Sequence, residues 1–358
     1  MRGEQTVQGS ALDPFHAALE RDALDGLWRV QERARATGSR VRPHLWRWET
    51  VYRHLLRAGE LLRLERAADR RVLLLVNPGL PEVRAATHTF AANVQLIQPG
   101  EVAPPHRHTA TALRFVIQGH GAYTTVEGER IPMGEGDLIL TPNWTWHDHG
   151  NETAAPVIWM DALDRPLVAA LQAMFFEPYP EARQPVTRPA DYSARKYSAG
   201  LRPLGNRDTP VLSPQRAYRW ADTYAALTTL AAADEATPYD DVALEYRNPA
   251  TGGHALPTLG CTIQLLRPGV HTRAHRHTSS TVYHVFRGRG WTVIDGQRFD
   301  WARGDFLVVP PWAWHEHANA SATEEAMLFG VNDLPALEAL ALYREEPYPG
   351  PSGHQPVP

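Results

Sequence analysis

Six histidines in two matching sets constrain this chain more than any other feature. Gly100 opens the run Gly-Glu-Val-Ala-Pro-Pro-His106-Arg107-His108, and Gly136 opens a second run through Pro142 and His147 to Asn151. The same pattern returns from Gly269 to His275-Arg276-His277, and from Gly304 through Pro310 and His315 to Asn319. His106 and His275 are 169 residues apart, and His147 and His315 are 168 apart. Matching motifs at one period mean a duplicated unit, each copy a small domain. Residues i and i+2 of a strand face one side. His106 and His108 therefore point together into a barrel, and His147 adds a third nitrogen from another strand. Imidazole suits iron, copper, nickel and zinc and is a poor ligand for calcium or magnesium. Three protein ligands leave positions on a metal open to substrate or dioxygen. His275, His277 and His315 form a possible second metal site. The alternative for that set is a group of hydrogen-bonded core histidines in a barrel that has lost its metal.

Composition narrows the class. With 358 residues the chain can hold two domains with real cores. A net charge of −4 leaves no basic footprint for nucleic acid. No apolar run reaches the length of a membrane span, and Met1-Arg-Gly-Glu-Gln lacks the apolar stretch of a signal peptide. A single cysteine, Cys261, cannot form an internal disulfide and fits a reducing cytoplasm; it reads as a small buried apolar residue.

Along the chain, Asp13-Pro14 reads as a helix start, with Leu19, Leu24, Leu27 and Trp28 continuing a helical pattern to about Ala36. Val51–Ala58 reads as a second helix. From Val72 the pattern changes to short apolar runs cut by Gly and Pro, such as Val72–Val76, Val94–Ile97, Arg114–Ile117 and Leu138–Thr141, which suggests an all-β barrel. Leu163–Phe176 reads as a helix leaving the first barrel, followed by Glu177-Pro-Tyr-Pro180, which returns as Glu346-Pro-Tyr-Pro349. The expected division is a helical N-terminal arm over 1–70, a catalytic barrel over 71–180, a partly helical connector over 181–245 and a second barrel with its tail over 246–358. Ala217–Ala233 in the connector reads as helix, and the connector is expected to pack on the barrels or a partner subunit. Trp291, Trp301, Trp312 and Trp314 read as core or interface residues.

Arg114 lies six residues after His108, an even number, so an unbroken strand turns it inward with the ligands. An inward Arg in an apolar barrel needs a partner anion, either a substrate or a barrel carboxylate. Its counterpart in the second copy is Tyr283, so the second barrel lacks this charge. His149 follows His147 by two and shares its face; His317 repeats it.

These stretches resemble the two cupin motifs, over roughly 80–165 and 248–335. The motif's glutamate position holds Ala112 and Thr281, and Trp144 and Trp312 stand at its inner glycine. Loss of the acid leaves a neutral three-histidine site, unlike the pattern of oxalate decarboxylase-like bicupins. The closer resemblance is to the gentisate 1,2-dioxygenase family of ring-cleaving bicupins, which includes salicylate and 1-hydroxy-2-naphthoate dioxygenases. It is carried by Pro99-Gly-Glu-Val-Ala-Pro-Pro-His-Arg-His-Thr109, Ala112-Leu-Arg-Phe-Val116, Gly128-Glu-Arg130, Trp144-Thr-Trp-His-Asp-His-Gly-Asn151 and Val157-Ile-Trp-Met-Asp161, with Leu45-Trp-Arg-Trp48 and Arg70-Arg-Val-Leu73 upstream.

That resemblance implies a bicupin: an all-β core of two double-stranded β-helix (jelly-roll) barrels with flanking helices. It implies Fe(II) on His106, His108 and His147, and Arg114 on the substrate carboxylate. His149 would handle a proton beside the substrate hydroxyl, and Asp161 would orient His149. Gln95 matches a pocket glutamine of the family, repeated as Gln264. Arg70 or Arg71 is placed to reach the pocket from the arm, against the alternative of surface solvation. The family carries an aromatic residue where Ala91 stands, with Phe90 adjacent, and a small residue where Asn93 stands, so either the strand slips by one residue or the substrate pocket is reshaped. The implied reaction is Fe(II)-dependent, extradiol-type cleavage of a 2-hydroxybenzoate by dioxygen, first of all gentisate to maleylpyruvate. Salicylate, a substituted salicylate or 1-hydroxy-2-naphthoate is the alternative substrate, and a non-catalytic bicupin binding protein is the alternative of a different class. A homo-oligomer, dimer or tetramer, in the cytoplasm completes the expectation.

Overall fold

The strands of this chain read as near-continuous apolar runs, such as Ala112-Leu-Arg-Phe-Val-Ile117, because they are covered on both faces. The structure, a computed structural model, describes residues 4–29, 38–62, 71–197, 204 and 212–357. Residues 1–39 form a unit of their own. Its helix α1 spans Glu4–Arg21. Phe15 stacks on Trp28 at 6.3 Å, and Trp28 Nε1 donates to His16 Nε2 at 3.1 Å. The helix does not begin at Asp13-Pro14; Pro14 lies inside it. Glu4, Gln5, Gln8 and Ala11 upstream favour helix, and proline removes one hydrogen bond without forbidding the turns before it. The helix also ends at Arg21, and 22–26 are not helical, so Leu24 does not continue it; the expected continuation over 30–36 lies outside the described residues.

Residues 40–358 carry both barrels. Strand β1 (His44–Trp46) and helix α2 (Trp48–Leu61) come first. The first barrel follows with β2 (Val72–Leu74), β3 (Ala91–Ile97), β4 (Val102–His108), β5 (Ala112–Gln118), β6 (Ala122–Val126), β7 (Glu129–Pro132), β8 (Leu138–Thr141), β9 (His147–Asn151), β10 (Val157–Leu163), the short helix α3 (Arg165–Ala170) and β11 (Phe176–Pro178). The connector holds α4 (Tyr192–Tyr197), β12 (Ala217–Tyr218) and α5 (Trp220–Ala232). The second barrel repeats the first with β13 (Val242–Glu245), β14 (Gly260–Leu266), β15 (His275–His277), β16 (Thr281–Arg287), β17 (Arg289–Ile294), β18 (Gln297–Ala302), β19 (Phe306–Val309), β20 (His315–Asn319), β21 (Ala326–Asn332), α6 (Leu334–Ala339) and β22 (Glu345–Pro347). The helix expected over Leu163–Phe176 is shorter at both ends. Leu163 still pairs in β10, and Phe176 pairs with His108 in β11. Similarly, Ala217 and Tyr218 pair as strand before α5 begins.

Each barrel is a jelly roll, a six-stranded sheet packed on a five-stranded one. The six-stranded sheets also pack back to back. Leu113, Phe115 and Ile117 of β5 join Val282, Phe286, Phe329 and Val331 in one core, with Phe115 stacked on Phe329 at 3.9 Å. The alternate residues of the same strands fill the barrel interiors.

The arm and the connector are exchanged between barrels. β1, which precedes the first barrel, pairs with β19 of the second, while β12 of the connector pairs with β8 of the first. The Gly-Asp pair of each second motif receives the following helix. Asp137 accepts from the backbone N–H of Trp220 at 2.9 Å and pairs with Arg219; Asp305 accepts from the N–H of Trp48 at 2.8 Å and from Arg47 at 3.0 Å. A carboxylate there satisfies an unpaired first-turn donor and complements the helix dipole. A Cβ on Gly136 would lie 2.6 Å from the Trp220 ring, and one on Gly304 would lie 2.4 Å from Trp48. Glycine is thus required for the close approach as well as for φ of +82° and +95°.

A second symmetric pair ties the barrels together. Asp164 accepts from Thr111 N at 2.8 Å in its own barrel and from the Thr258 hydroxyl at 2.6 Å in the other. Asp333 accepts from Ser280 N at 2.8 Å and from the Thr89 hydroxyl. Burial pushes both carboxyls up to about 6, against the lowering effect of those hydrogen bonds. A carboxyl raised in the fold contributes stability that is fully present below its unfolded value, about 4, and is lost as pH rises through about 6. Thermal stability of the metal-free protein should therefore fall between about pH 4 and 6 by a component that Asp164→Asn with Asp333→Asn removes. At about 1.4 kcal/mol per pH unit the component is on the order of 2–3 kcal/mol per group. Parallel Tm–pH curves for the two proteins would contradict it.

Candidate metal centre and barrel site

Strand β4 pairs with β9 so that His106 faces His147, and His108 lies two residues along the same face. The ring centroids are 4.3 Å apart for His106–His147, 4.8 Å for His108–His147 and 5.5 Å for His106–His108. Each Nδ1 meets a backbone carbonyl: Pro104 O at 3.1 Å, Ala110 O at 2.7 Å and Thr145 O at 2.9 Å. A carbonyl only accepts, so each Nδ1 carries the hydrogen and each Nε2 carries the lone pair. The three rings converge, with one ligand atom from each within 4.8 Å of the others. His147 Nε2 is buried and has no hydrogen-bond partner, which fits a metal-directed lone pair. Burial holds His147 well below its ordinary pKa, reinforced by His106, His108 and Arg114. Neutral imidazoles fixed in one tautomer form a set able to hold a transition metal ion.

The outward residue between the two ligands is equally constrained. The Arg107 guanidinium lies 4.4 Å from the rings of both Trp144 and Trp146, and its Nε donates to Glu177 at 2.7 Å. Tyr179 packs edge-on against Trp146 at 4.8 Å. The second barrel repeats this cluster with Arg276, Trp312, Trp314, Glu346 and Tyr348. The repeated Glu-Pro-Tyr-Pro therefore anchors the back of the ligand strand. Trp144 and Trp312 adopt the left-handed backbone expected of the glycine they replace, with φ of +58° and +64°.

Beside the triad, one layer of the first barrel is polar. In register across β3, β10 and β5 stand Asn93, Asp161 and Arg114. Arg114 is 2 % exposed; its Nη1 donates to the Thr141 hydroxyl at 2.5 Å and its Nε lies 3.2 Å from Asp161. Burial lowers the Arg114 pKa and Asp161 raises it in part. Asp161 is thus the barrel carboxylate that accompanies Arg114 within the protein. The next layer holds Gln95 opposite Trp159. Asn93 Oδ1 and Trp159 Nε1 are buried without hydrogen-bond partners, an arrangement that a polar ligand in the barrel would relieve. Ala91 faces the same interior, one layer further along β3.

His149 is fully buried, its ring 5.8 Å from His147 and 5.6 Å from Trp159. Its Nδ1 is held by the Thr124 hydroxyl at 2.9 Å. Thr124 belongs to no motif; its only mark in the sequence is its repeat as Thr292, which holds His317 Nδ1 at 2.8 Å. Of the two arginines expected near the pocket, Arg71 is buried and pairs with Glu101, neither surface-solvated nor free for a ligand. Arg70 lies outside the described residues.

The second barrel keeps a histidine set of the same shape. His275–His315 and His277–His315 centroids are 4.3 and 4.9 Å apart. Burial lowers His275 to about 3, with His277 adding to the shift. Its arginine–aspartate pair is absent: Thr262, Gly330 and Tyr283 occupy the register of Asn93, Asp161 and Arg114. The adjoining cavity of about 300 Å³ is lined by Asp240 and Glu345 beside His275, His277 and Tyr283.

Comparison with known proteins agrees with this geometry. The cupin domain family matches residues 93–163 and 262–331. The chain is 44% identical to a 5-aminosalicylate 1,2-dioxygenase of a Comamonas species, over 96% of this chain and 92% of the relative. It is 40% identical to a gentisate 1,2-dioxygenase of Aquipseudomonas alcaligenes, over 92% and 95%. A solved salicylate 1,2-dioxygenase of Pseudoaminobacter salicylatoxidans carrying gentisate superposes with a TM-score of 0.88 at 36% identity, covering 94% of this chain and 93% of that one.

The left-handed tryptophans allow a direct test. Trp144→Ala removes the ring over Arg107 and keeps a strained backbone, whereas Trp144→Gly removes the ring and the strain together. Both variants should be less stable than the wild type. The glycine variant should be the more stable of the two by about 1 kcal/mol, measured by denaturant unfolding. The reverse order would exclude backbone strain at this position.

Proposed function

The chain belongs to the bicupin family of ring-cleaving 1,2-dioxygenases that includes the gentisate, salicylate and hydroxynaphthoate enzymes, and we propose that its first barrel cleaves the ring of a 2-hydroxybenzoate. Gentisate, opened to maleylpyruvate, is the first candidate. The observation that carries the reading is the buried Arg114 in a barrel whose three converging imidazoles lie beside it. His106, His108 and His147 would hold iron(II) through Nε2. Bound there, the metal supplies open positions for substrate and dioxygen and a route for electrons from ring to oxygen.

The residues of the chain do the rest. Arg114 has five N–H donors, of which Thr141 engages one, while Asp161 pairs with the guanidinium by charge, 3.2 Å from Nε. The others can take the substrate carboxylate and fix the ring's orientation. Asp161, the companion of Arg114, holds that guanidinium in place. His149, steadied at Nδ1 by Thr124, takes the proton of the substrate hydroxyl at Nε2. Asn93 and Gln95 supply polar contacts on the opposite strand, and the aromatic wall of Trp159 and the apolar residues around it keep water from the ring. Ala91, small where the family resemblance calls for an aromatic side chain, leaves room on that wall. It favours a substituted salicylate as the second reading.

The second barrel is non-catalytic in this reading. Tyr283 offers one neutral hydroxyl where Arg114 offers a cation, and Asp240 and Glu345 at the cavity disfavour an entering carboxylate. No helix among the described residues is long and apolar enough to cross a membrane. Cys261 is buried and unpaired, in keeping with a reducing cytoplasm. Assembly into a homo-oligomer would cover exposed Leu171, Phe175 and Phe176.

A panel of gentisate, salicylate, 5-aminosalicylate and 1-hydroxy-2-naphthoate, followed by ultraviolet absorbance, tests the substrate class. No ring cleavage with any member overturns the reading. Arg114→Ala should lower kcat/KM by roughly 30- to 1000-fold, an unpaired carboxylate costing on the order of 2–4 kcal/mol. Because Asp161 also loses its partner, thermal unfolding is measured alongside, and an unchanged kcat/KM rules out the clamp.

The two barrels are separated by a parallel pair of variants. His108→Ala should abolish turnover, and His277→Ala should keep most turnover per first-barrel iron. Equal loss in both, with first-barrel iron still bound, would show that the barrels act together.

A further inference from the structure

A third cluster of ligand-type side chains lies outside both barrel interiors. Glu316 sits between His315 and His317 on β20, so the strand period turns it to the outer face of the second barrel. Its side chain is only 1% exposed. His271, from the turn before β15, brings Nε2 to 3.4 Å from Oε1; His354, from the C-terminal tail, brings Nδ1 to 3.4 Å from Oε2. The two imidazoles stack at 4.2 Å. The ligand atoms of the three residues all lie within 4.8 Å of one another.

The geometry is poor for hydrogen bonds and good for a metal. An N–H···O bond has its mode near about 2.9 Å, and His354 Nδ1 is buried with no hydrogen-bond partner. The backbone N–H of Gln355 reaches the carboxylate only at 3.3 and 3.4 Å. By contrast, ligands about 2.0–2.2 Å from a tetrahedral ion stand about 3.3–3.6 Å apart. A buried carboxylate must be paired or coordinate a cation. Two imidazoles and one carboxylate suit a divalent ion of the zinc class.

The cluster is not a by-product of the duplication. At the matching places in the first barrel stand Val102, Asp148 and Arg183, with no imidazole among them. The tail is held nearby in both copies by a glutamine: Gln355 donates to Val293 O and accepts from Gly296 N, as Gln184 does with Thr125 O and Gly128 N. Only in the second copy does the residue before that glutamine carry a metal-ligating ring. We propose that His271, Glu316 and His354 bind a zinc-class divalent cation that fastens the C-terminal tail to the outer face of the second barrel. The proposal is independent of the assignment of the first barrel.

Zinc itself is the probe, added to the full-length protein with its first-barrel metal in place. Zinc retained after gel filtration is counted per chain, and crystals are measured at the zinc absorption edge. His271 and His354 are a third exposed, so Ala at either place spares the core. The parent should retain one more zinc than His354→Ala or His271→Ala. The same difference should appear in a His277→Ala background, which removes the second-barrel histidine set from the count. In that background zinc should raise the Tm of the protein that keeps His354 and not of the one carrying His354→Ala, while ring-cleavage kcat is equal in the two. An anomalous peak should lie among His271, Glu316 and His354. Equal zinc counts in parent and variants, or no peak at this position, would reduce the cluster to a histidine–glutamate ion pair and overturn the site.

Discussion

In the first barrel, the strands that bear the polar layer are buried on both faces, and the two-residue period of the backbone divides their residues between two cores. One set, with Leu113, Phe115, Met160 and Val94, cements barrel to barrel. The alternate set, with Arg114, Asp161, Asn93 and Gln95, enters the barrel beside the histidines. A slip of one residue in any of these strands would turn a charge into an apolar interface and a leucine into the site. Site and interface are therefore one constraint. The inter-barrel core holds the register, and the register places the guanidinium.

The exchange of arm and connector reinforces that coupling. The Gly-Asp pair of each second motif receives a tryptophan and a helix start from outside its own barrel: Asp137 from the connector, Asp305 from the arm. Asp164 and Asp333 each join a strand end of their own barrel to a threonine of the other. The second barrel, stripped of the arginine–aspartate pair, still serves as the surface on which the first is built. Retention of its histidines fits that structural use.

The two copies of the duplicated unit differ in chemistry on their inner and outer faces alike. Arg114 and Asp161 have as counterparts Tyr283 and Gly330, so both charges are absent together and neither is left unpaired. On the outer face, Val102 and Arg183 of the first copy stand against His271 and His354 of the second. Strand alternation keeps the inner and outer changes independent, since neighbouring residues face different media.

Much of this was legible in the chain itself. A period of 168–169 residues with identical ligand spacing points to two barrels, and the parity of His106 and His108 puts both on one face. Parity does not reach Arg114: the strand breaks at 109–111, β5 belongs to the other sheet, and sheet register with Asp161 sets its direction. The exact identity of Arg114's partner was not legible, because Asp161 is 47 positions away and meets it only through sheet register. Thr124 as the holder of His149, and Glu101 as the partner of Arg71, were hidden for the same reason. The destination of the arm and connector was also beyond the sequence, since a short strand and a capped helix carry no record of which barrel they join. Local periodicity is a property of neighbours along the chain. Pairing between distant strands is chosen by the burial of whole faces, and only the tertiary structure decides it.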